Sequence, residues 1–437
     1  MQLKSHIFGS RAATPAFGQR TTTAPVVRSI RDAGTRAARV GLLGLALALS
    51  IASTAHAETG VGTTTTVFHE SGGPLNMTVI TPSAQASVDI GDPVTVSINY
   101  EADIVTGASV AVVDAPGASV DAVTSATTLD DVRQNVGGSF QLRGDTTSIG
   151  ASYNYGFESD YRTHSFSLNA RAEVFERNTA FEISYARGFD QVCNLPGISA
   201  QEAVERSRMP DAEGCFEDDG TRDSLDLDLH TFQGSWTQAW SPVFSTQFTL
   251  TAQVLNGFQG NPYRGVWLGR TAAQENHPEL RIRYAAGLRA RLWIKPLNGA
   301  VQVFGRVYRD TWDIESLTAE LAYDQVLADA LRLRVRGRYY TQSGAAFYSD
   351  DYTRFPRGQY FTGDRELSQM NSFAVGGRLS FSVPADDEGY VLGFMDSFDI
   401  IGKFDYLITS FPDFRYAQAE VPNTNAIVGT LGLEAGF

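Results

Sequence analysis

The chain has 437 residues and a formal net charge of −14, with 43% hydrophobic residues spread along its length. Phosphate neutralisation by Lys and Arg drives nucleic-acid binding, so a chain this acidic is excluded from that class. Beyond residue 51 there is no apolar run of the roughly 18 residues a membrane-spanning helix needs, which excludes a helical membrane protein.

Val40 to Ile51 (VGLLGLALALSI) is an apolar stretch of signal-peptide length. It follows Arg28, Arg31, Arg36 and Arg39 and precedes Ala55-His56-Ala57. Residues 1–57 therefore read as a leader cleaved before Glu58, and 58–437 as the mature chain. The leader carries seven basic residues and one acid, so the mature chain is more acidic still.

The mature chain contains no linker or composition shift that would divide it. Alternating segments fall at 60–69, 76–90, 93–106, 132–143, 146–158, 162–175, 179–189, 223–238, 243–258, 279–294, 300–310, 314–324, 331–342, 370–383, 394–409 and 424–437. Period-two alternation puts one set of side chains on each face of a strand. In the clearest segment Val94, Val96, Ile98, Tyr100, Ala102 and Ile104 face one way, and Thr95, Ser97, Asn99, Glu101 and Asp103 the other. Connections at residues 91–92, 143–145, 176–178, 240–242, 296–299, 329 and 384–388 are short. The long ones, at 107–131, 190–222, 259–278 and 343–369, fall between them. This is the hairpin parity of an antiparallel transmembrane β-barrel in a bacterial outer membrane, with both termini periplasmic.

Sixteen strands are expected, with fourteen as the alternative. The Thr-rich first segment and a break in phase between Leu229 and Phe232, read as a bulge, are the weakest. Trp240, Trp293, Tyr153, Tyr155 and Tyr185 are candidates for interfacial girdles. The closing run, with Leu431, Leu433 and Phe437 in one phase, reads as the C-terminal signal of an outer-membrane barrel.

Cys193 and Cys215 are the only cysteines, an even count in an exported chain, and are expected to form a disulfide. In the chain-entropy model such a loop closure stabilises by about 3 kcal/mol. Two cysteines without a nearby histidine do not make a metal site. The acidic runs Glu217-Asp218-Asp219 and Asp350-Asp351 lack the EF-hand pattern and read as solvated loops. His69, His164, His230 and His277 show no catalytic spacing. No enzyme activity, metal or cofactor is expected.

Alternation places Arg281, Arg283, Arg289, Arg291, Arg306, Arg332, Arg334, Arg336 and Arg338 on the lumenal phase. Guanidinium groups that stay charged would favour anionic solutes in a water-filled lumen. The structural reading of the same residues is a ladder with inward acids, for which Glu320 and Asp324 lie beside the last arginines. Glu101, Asp103, Glu173, Glu182, Asp226 and Asp228 are further inward acids. The small, apolar segment Ala108 to Thr128 is a candidate for an inward-folded constriction.

The phrases SAQASVDIG (Ser83 to Gly91), DAVTSAT (Asp121 to Thr127), ESDYRTHS (Glu158 to Ser165), GFQGNPYRGV (Gly257 to Val266) and RYYTQSGAAFY (Arg338 to Tyr348) resemble a Gram-negative family of exported barrels described only as a domain of unknown function. The resemblance implies a barrel and no catalytic residues. Two functions follow. One is a porin-like pore for small solutes with a locally basic lumen. The other is a structural barrel that binds a periplasmic or cell-surface partner. Either would meet outer-membrane lipid and the barrel-assembly machinery, and the sequence leaves the oligomeric state open. Mass determination of the exported chain should return Glu58 as its first residue.

Overall fold

The computed structural model describes residues 59–71, 77–107, 129–158, 160–193, 216, 224–260, 265–267, 272–349, 352, 358–384, 390–416, 419–420 and 423–437. The leader, Ala108 to Thr128, Cys215, and the runs Glu217-Asp218-Asp219 and Asp350-Asp351 lie outside them.

In chain order the strands are β1 (Thr59–Ser71), β2 (Met77–Ile90), β3 (Val94–Gly107), β4 (Leu129–Arg143), β5 (Thr147–Phe157), β6 (Tyr161–Val174), β7 (Thr179–Cys193), β8 (Ser224–Ser241) and β9 (Phe244–Gly257). A short ribbon follows, β10 (Gly265–Trp267) with β11 (Ala272–Gln274). Then come β12 (Leu280–Ile294), β13 (Gly299–Asp310), β14 (Glu315–Ala328), β15 (Leu331–Gln342), β16 (Met370–Ser382) and β17 (Ser397–Ser410). A second ribbon pairs β18 (Arg415–Tyr416) with β19 (Ala419–Glu420), and β20 (Thr424–Gly436) ends the sheet.

Leaving out the two ribbons, each strand pairs antiparallel with the next, and β20 returns to β1. The result is a closed barrel of sixteen strands, the higher of the two expected numbers, and the Thr-rich first segment is one of them. The seam runs from Gly60↔Gly436 to Ser71↔Asn425, and the amide N–H groups of Thr59 and Phe437 each donate to the other's carbonyl at 2.9 Å. In hydrocarbon an unpaired strand edge has no water to bond to, so only a sheet closed in this way can span.

The outer face is apolar: Leu288, Val303, Leu321, Val335, Phe373 and Leu431 are all exposed, Leu431 by 59%. A water-soluble protein does not display an apolar surface of this extent, and lipid is the solvent that suits it. Arg281 to Arg291, Gln253, Thr251 and Glu320 take the opposite phase of their strands.

Four details differ from the alternation read in the sequence. First, there is no bulge between Leu229 and Phe232, since β8 stays in register with β7 from Ser224 to Gln238. The chemistry of the faces reverses instead. Leu225, Leu227 and Leu229 hold the inner phase there, with Leu229 packed beside Leu255 of β9, while Asp226 and Asp228 turn outward. Arg187 meets Asp228 at 3.6 Å on that outer side. A charged pair on the outside is stable only beyond the hydrocarbon, so the reversal marks where β7 and β8 leave it. The register shifts that do occur lie at Ala239/Ser241 and Val326/Ala328.

Second, Trp293 pairs with Ala300 and falls on the inner phase, whereas Leu292 is outside. Tyr153, Tyr155, Tyr185 and Trp240 keep the outer phase. Tyr153 and Tyr185 bond the Nδ1 of His164 and His230 at 2.7 and 2.9 Å.

Third, the segment expected to begin at residue 394 becomes a strand only at Ser397. Val391 and Met395 instead bridge each other around Leu392 and Gly393, at φ 53° and 78°, and Phe394 stacks on Phe437 at 6.2 Å. The apolar residues there cap the end of the wall that carries the termini. Fourth, β7 and β14 run several residues past their expected ends at 189 and 324.

Leu288→Arg places a charge against lipid near the middle of β12 and should destabilise the barrel by about 2–4 kcal/mol, whereas Thr251→Ser on the inner phase should have little effect. Reversible urea unfolding in vesicles measures both.

Candidate functional site

The inner wall from β12 to β17 and the mouth above it form the most heavily built part of the described chain. At the end opposite the termini, Arg281 donates from Nε to Asp310 Oδ2 at 2.8 Å, and both side chains are buried. Asp310 also accepts from the Tyr308 hydroxyl at 2.7 Å and from the amides of Trp312 and Ile314 at 2.9 and 3.0 Å. The Trp312 ring covers the Arg281 guanidinium at 3.9 Å. A carboxylate this fully bonded holds a buried arginine that would otherwise be expensive to desolvate.

On this anchor rests a strap, the connection between β15 and β16. Trp312 and Ile314 pack with Ala345 and Leu367 of the strap. The amide of Ala346 donates to the Trp312 carbonyl at 2.9 Å. Phe361 exchanges backbone bonds with Asn276 of the β9–β12 connection, and the Thr362 hydroxyl donates to Glu275 at 2.8 Å. A single 3-10 turn, Arg365–Leu367, is capped by Asp364, whose carboxylate accepts from the Glu366 amide. Arg365 then reaches Glu70 on β1 at 3.1 Å and lies over Phe411 at 4.6 Å. The described part of the strap thus contacts both the β9–β12 connection and the first strand. Gln342 holds its near end by donating to the carbonyls of Glu366 and Ser368.

Below the mouth the arginines sort into two groups. Arg334 lies 3.9 Å from Glu320 and 3.7 Å from Asp324, and Arg336 lies 3.6 Å from Glu320. Arg336 also forms a bidentate pair with Asp405 of β17, both bonds 2.9 Å. Between them on β16 stands Gly376, and a Cβ there would collide with the Asp405 carboxylate. Only glycine lets Asp405 lean across an intervening strand. Arg283 and Arg291 donate to Gln253 and Gln302, each at 3.0 Å. Arg289 and Arg306 lie over the rings of Phe304 and Tyr308, at 5.2 and 6.0 Å. Arg332 is exposed near the turn, and Arg338 sits opposite Glu320 in register.

Asp405, Glu70, Glu275 and Arg365 carry no local signal of their partners, which come from strands or loops remote in sequence. Asp310 closes the segment 300–310, and alternation along that segment gave no sign of its bonding to Arg281, Tyr308, Trp312 and Ile314. Cys193 is completely buried at the end of β7. Leu431 and Leu433 lie exposed on the outer phase of β20, and Phe437 closes the seam.

A model of the family described as Protein of unknown function (DUF3570) matches residues 36–388. No curated protein matches the chain. Among solved structures, a bacterial polysaccharide outer membrane secretin is 8% identical, with TM-score 0.46, over 87% of this chain and 98% of its own. OccD3 (OpdP) of Pseudomonas aeruginosa is 7% identical, with TM-score 0.42, over 87% and 92%. The CymD monoaromatic hydrocarbon channel is 8% identical, with TM-score 0.35, over 87% and 88%.

Asp310→Ala strands Arg281 as an unpaired buried charge and frees the amides beneath the strap. It should cost about 3–5 kcal/mol in urea unfolding, and limited proteolysis should cut within 343–369 sooner than in the parent.

Proposed function

We propose that this chain, which belongs to the DUF3570 family of proteins of unknown function, is an outer-membrane pore for small solutes with a basic arc along one side of its lumen. The observation that carries the reading is the division of charge on the inner phase. From β12 to β17 it presents Arg281, Arg283, Arg289, Arg291, Arg306, Arg332, Arg334, Arg336, Arg338, Arg378 and Lys403 against Asp310, Glu320, Asp324, Asp399 and Asp405. The remaining arc carries Glu70, Asp89, Glu101, Asp103, Glu173, Glu182, Asp190 and Glu434 against Arg133, Arg143 and Arg171. Cations exceed carboxylates on one side, and carboxylates exceed cations on the other.

A barrel needing only a stable inner wall would pair these charges locally, as Arg334 and Arg336 do. Segregation leaves a field across the lumen, which orients dipolar solutes and holds anions to the basic side. Small water-filled pores with low-dielectric walls strengthen such a field, and salt weakens it. The strap, anchored at Asp310 and Glu70, would set the width of the entrance. The leader and the apolar outer face support the outer membrane as the location, with the short turns and termini in the periplasm. The Thr362 hydroxyl that donates to Glu275 is buried in the joint between the strap and the β9–β12 connection, and the reading is transport without catalysis.

Refolded protein in a planar bilayer should conduct, with a reversal potential in a salt gradient that reports anion over cation permeability. Arg332→Gln with Arg338→Gln should move that potential toward cation preference, most clearly at low salt. An absence of conductance would remove the pore reading and leave a barrel that serves a partner.

A further inference from the structure

Below the mouth, Arg289 and Arg306 are the arginines of the arc that lie over aromatic rings. Among the described residues, no carboxylate lies within ion-pair distance of either. Glu320, the acid opposite Phe304 in register, faces Arg334 and Arg336 instead. The Nε of Arg289 is buried and has no hydrogen-bond partner.

The two arginines are diagonal neighbours, since Arg289 pairs with Phe304 and Gly287 with Arg306. Their Cβ atoms are therefore about 7–8 Å apart or somewhat less. Between them lies the Phe304 ring, which occupies the space a side chain at position 287 would fill: a Cβ on Gly287 would meet its Cε2 at 3.3 Å. Arg306 is exposed, while Arg289 and Phe304 are half-buried. The wall thus presents two aromatic rings on one strand, Phe304 and Tyr308, with the Arg289 guanidinium 5.2 Å from the first and the Arg306 guanidinium 6.0 Å from the second.

We infer that Arg289, Arg306 and the Phe304 ring over Gly287 form a binding subsite for small organic carboxylates. The anionic oxygens bond the guanidinium edges, and the apolar body rests on the ring. Guanidinium forks match planar oxyanions, and a cation without a carboxylate partner has its donors available. An apolar floor adds contact only for an anion that carries an apolar body, which separates this class from inorganic phosphate. The inference rests on the pore reading for access to the lumen, but binding can be measured without conduction.

The test uses the full mature chain refolded in detergent and equilibrium dialysis against labelled benzoate, acetate and inorganic phosphate. Benzoate should bind saturably and several-fold more tightly than either of the others. Arg289→Gln with Arg306→Gln should weaken benzoate by about tenfold or more, the loss of two charge-assisted contacts. The double variant orphans no carboxylate, so the barrel should remain folded, which far-UV circular dichroism checks. Arg289→Lys with Arg306→Lys keeps both charges and loses the forks, and it too should bind less tightly. Gly287→Leu displaces the ring and should bring benzoate down to the affinity of acetate.

Lysine variants that bind like the parent would overturn the subsite in favour of a diffuse field. Benzoate binding no tighter than acetate or phosphate would overturn the substrate class. Conduction without saturable benzoate binding removes the subsite alone, whereas binding without conduction removes the pore alone.

Discussion

Closure of the sheet is the constraint on which the rest of this structure depends. A strand in hydrocarbon must give every amide and carbonyl a partner, and the pairing of β1 with β20 removes the last two open edges. Once the cylinder is shut, each strand has one face toward lipid and one toward the interior, and the alternation of the sequence becomes an alternation of solvents. The reversal on β8 follows from the same rule. Where Asp226 and Asp228 turn outward, the wall has left the apolar layer, and the alternating Leu225, Leu227 and Leu229 move to the inner phase.

The inner wall is organised by a second rule, that a charge withdrawn from water needs a partner. Arg281 and Asp310 satisfy each other completely, and that saturated pair is the pedestal of the strap. Arg336 reaches Asp405 over a glycine because Glu320, which it also approaches, is shared with Arg334. Asp310, Glu320, Asp324 and Asp405 are thereby paired with Arg281, Arg334 and Arg336. Among the described residues, Arg289 and Arg306 lie over aromatic faces with no carboxylate in ion-pair distance. Ion-paired arginines and arginines stacked on rings therefore coexist on one wall.

The strap links these features to the mouth. Its attachments at Asn276, Trp312, Gln342 and Glu70 come from four places around the ring. No single attachment would hold a long connection against its conformational entropy, but their distribution ties its described parts to several points of the rim. The acid on β1 and the basic residue on the strap lie almost 300 positions apart.

The sixteen strands, their boundaries to within a few residues and the parity of their connections were all legible in the sequence. A period of two is a local property, written into each segment regardless of its neighbours, and turn residues punctuate it locally. The phase of Arg281 to Arg291 and Arg332 to Arg338 was legible for the same reason. What only the tertiary structure decided was who meets whom across the wall: Asp405 with Arg336, Arg365 with Glu70, Phe304 over Gly287. It also decided that Trp293 turns inward and that the break after Leu229 changes solvent and leaves the register intact. Those outcomes depend on closure and on the depth of each residue in the membrane, and alternation along one strand encodes neither.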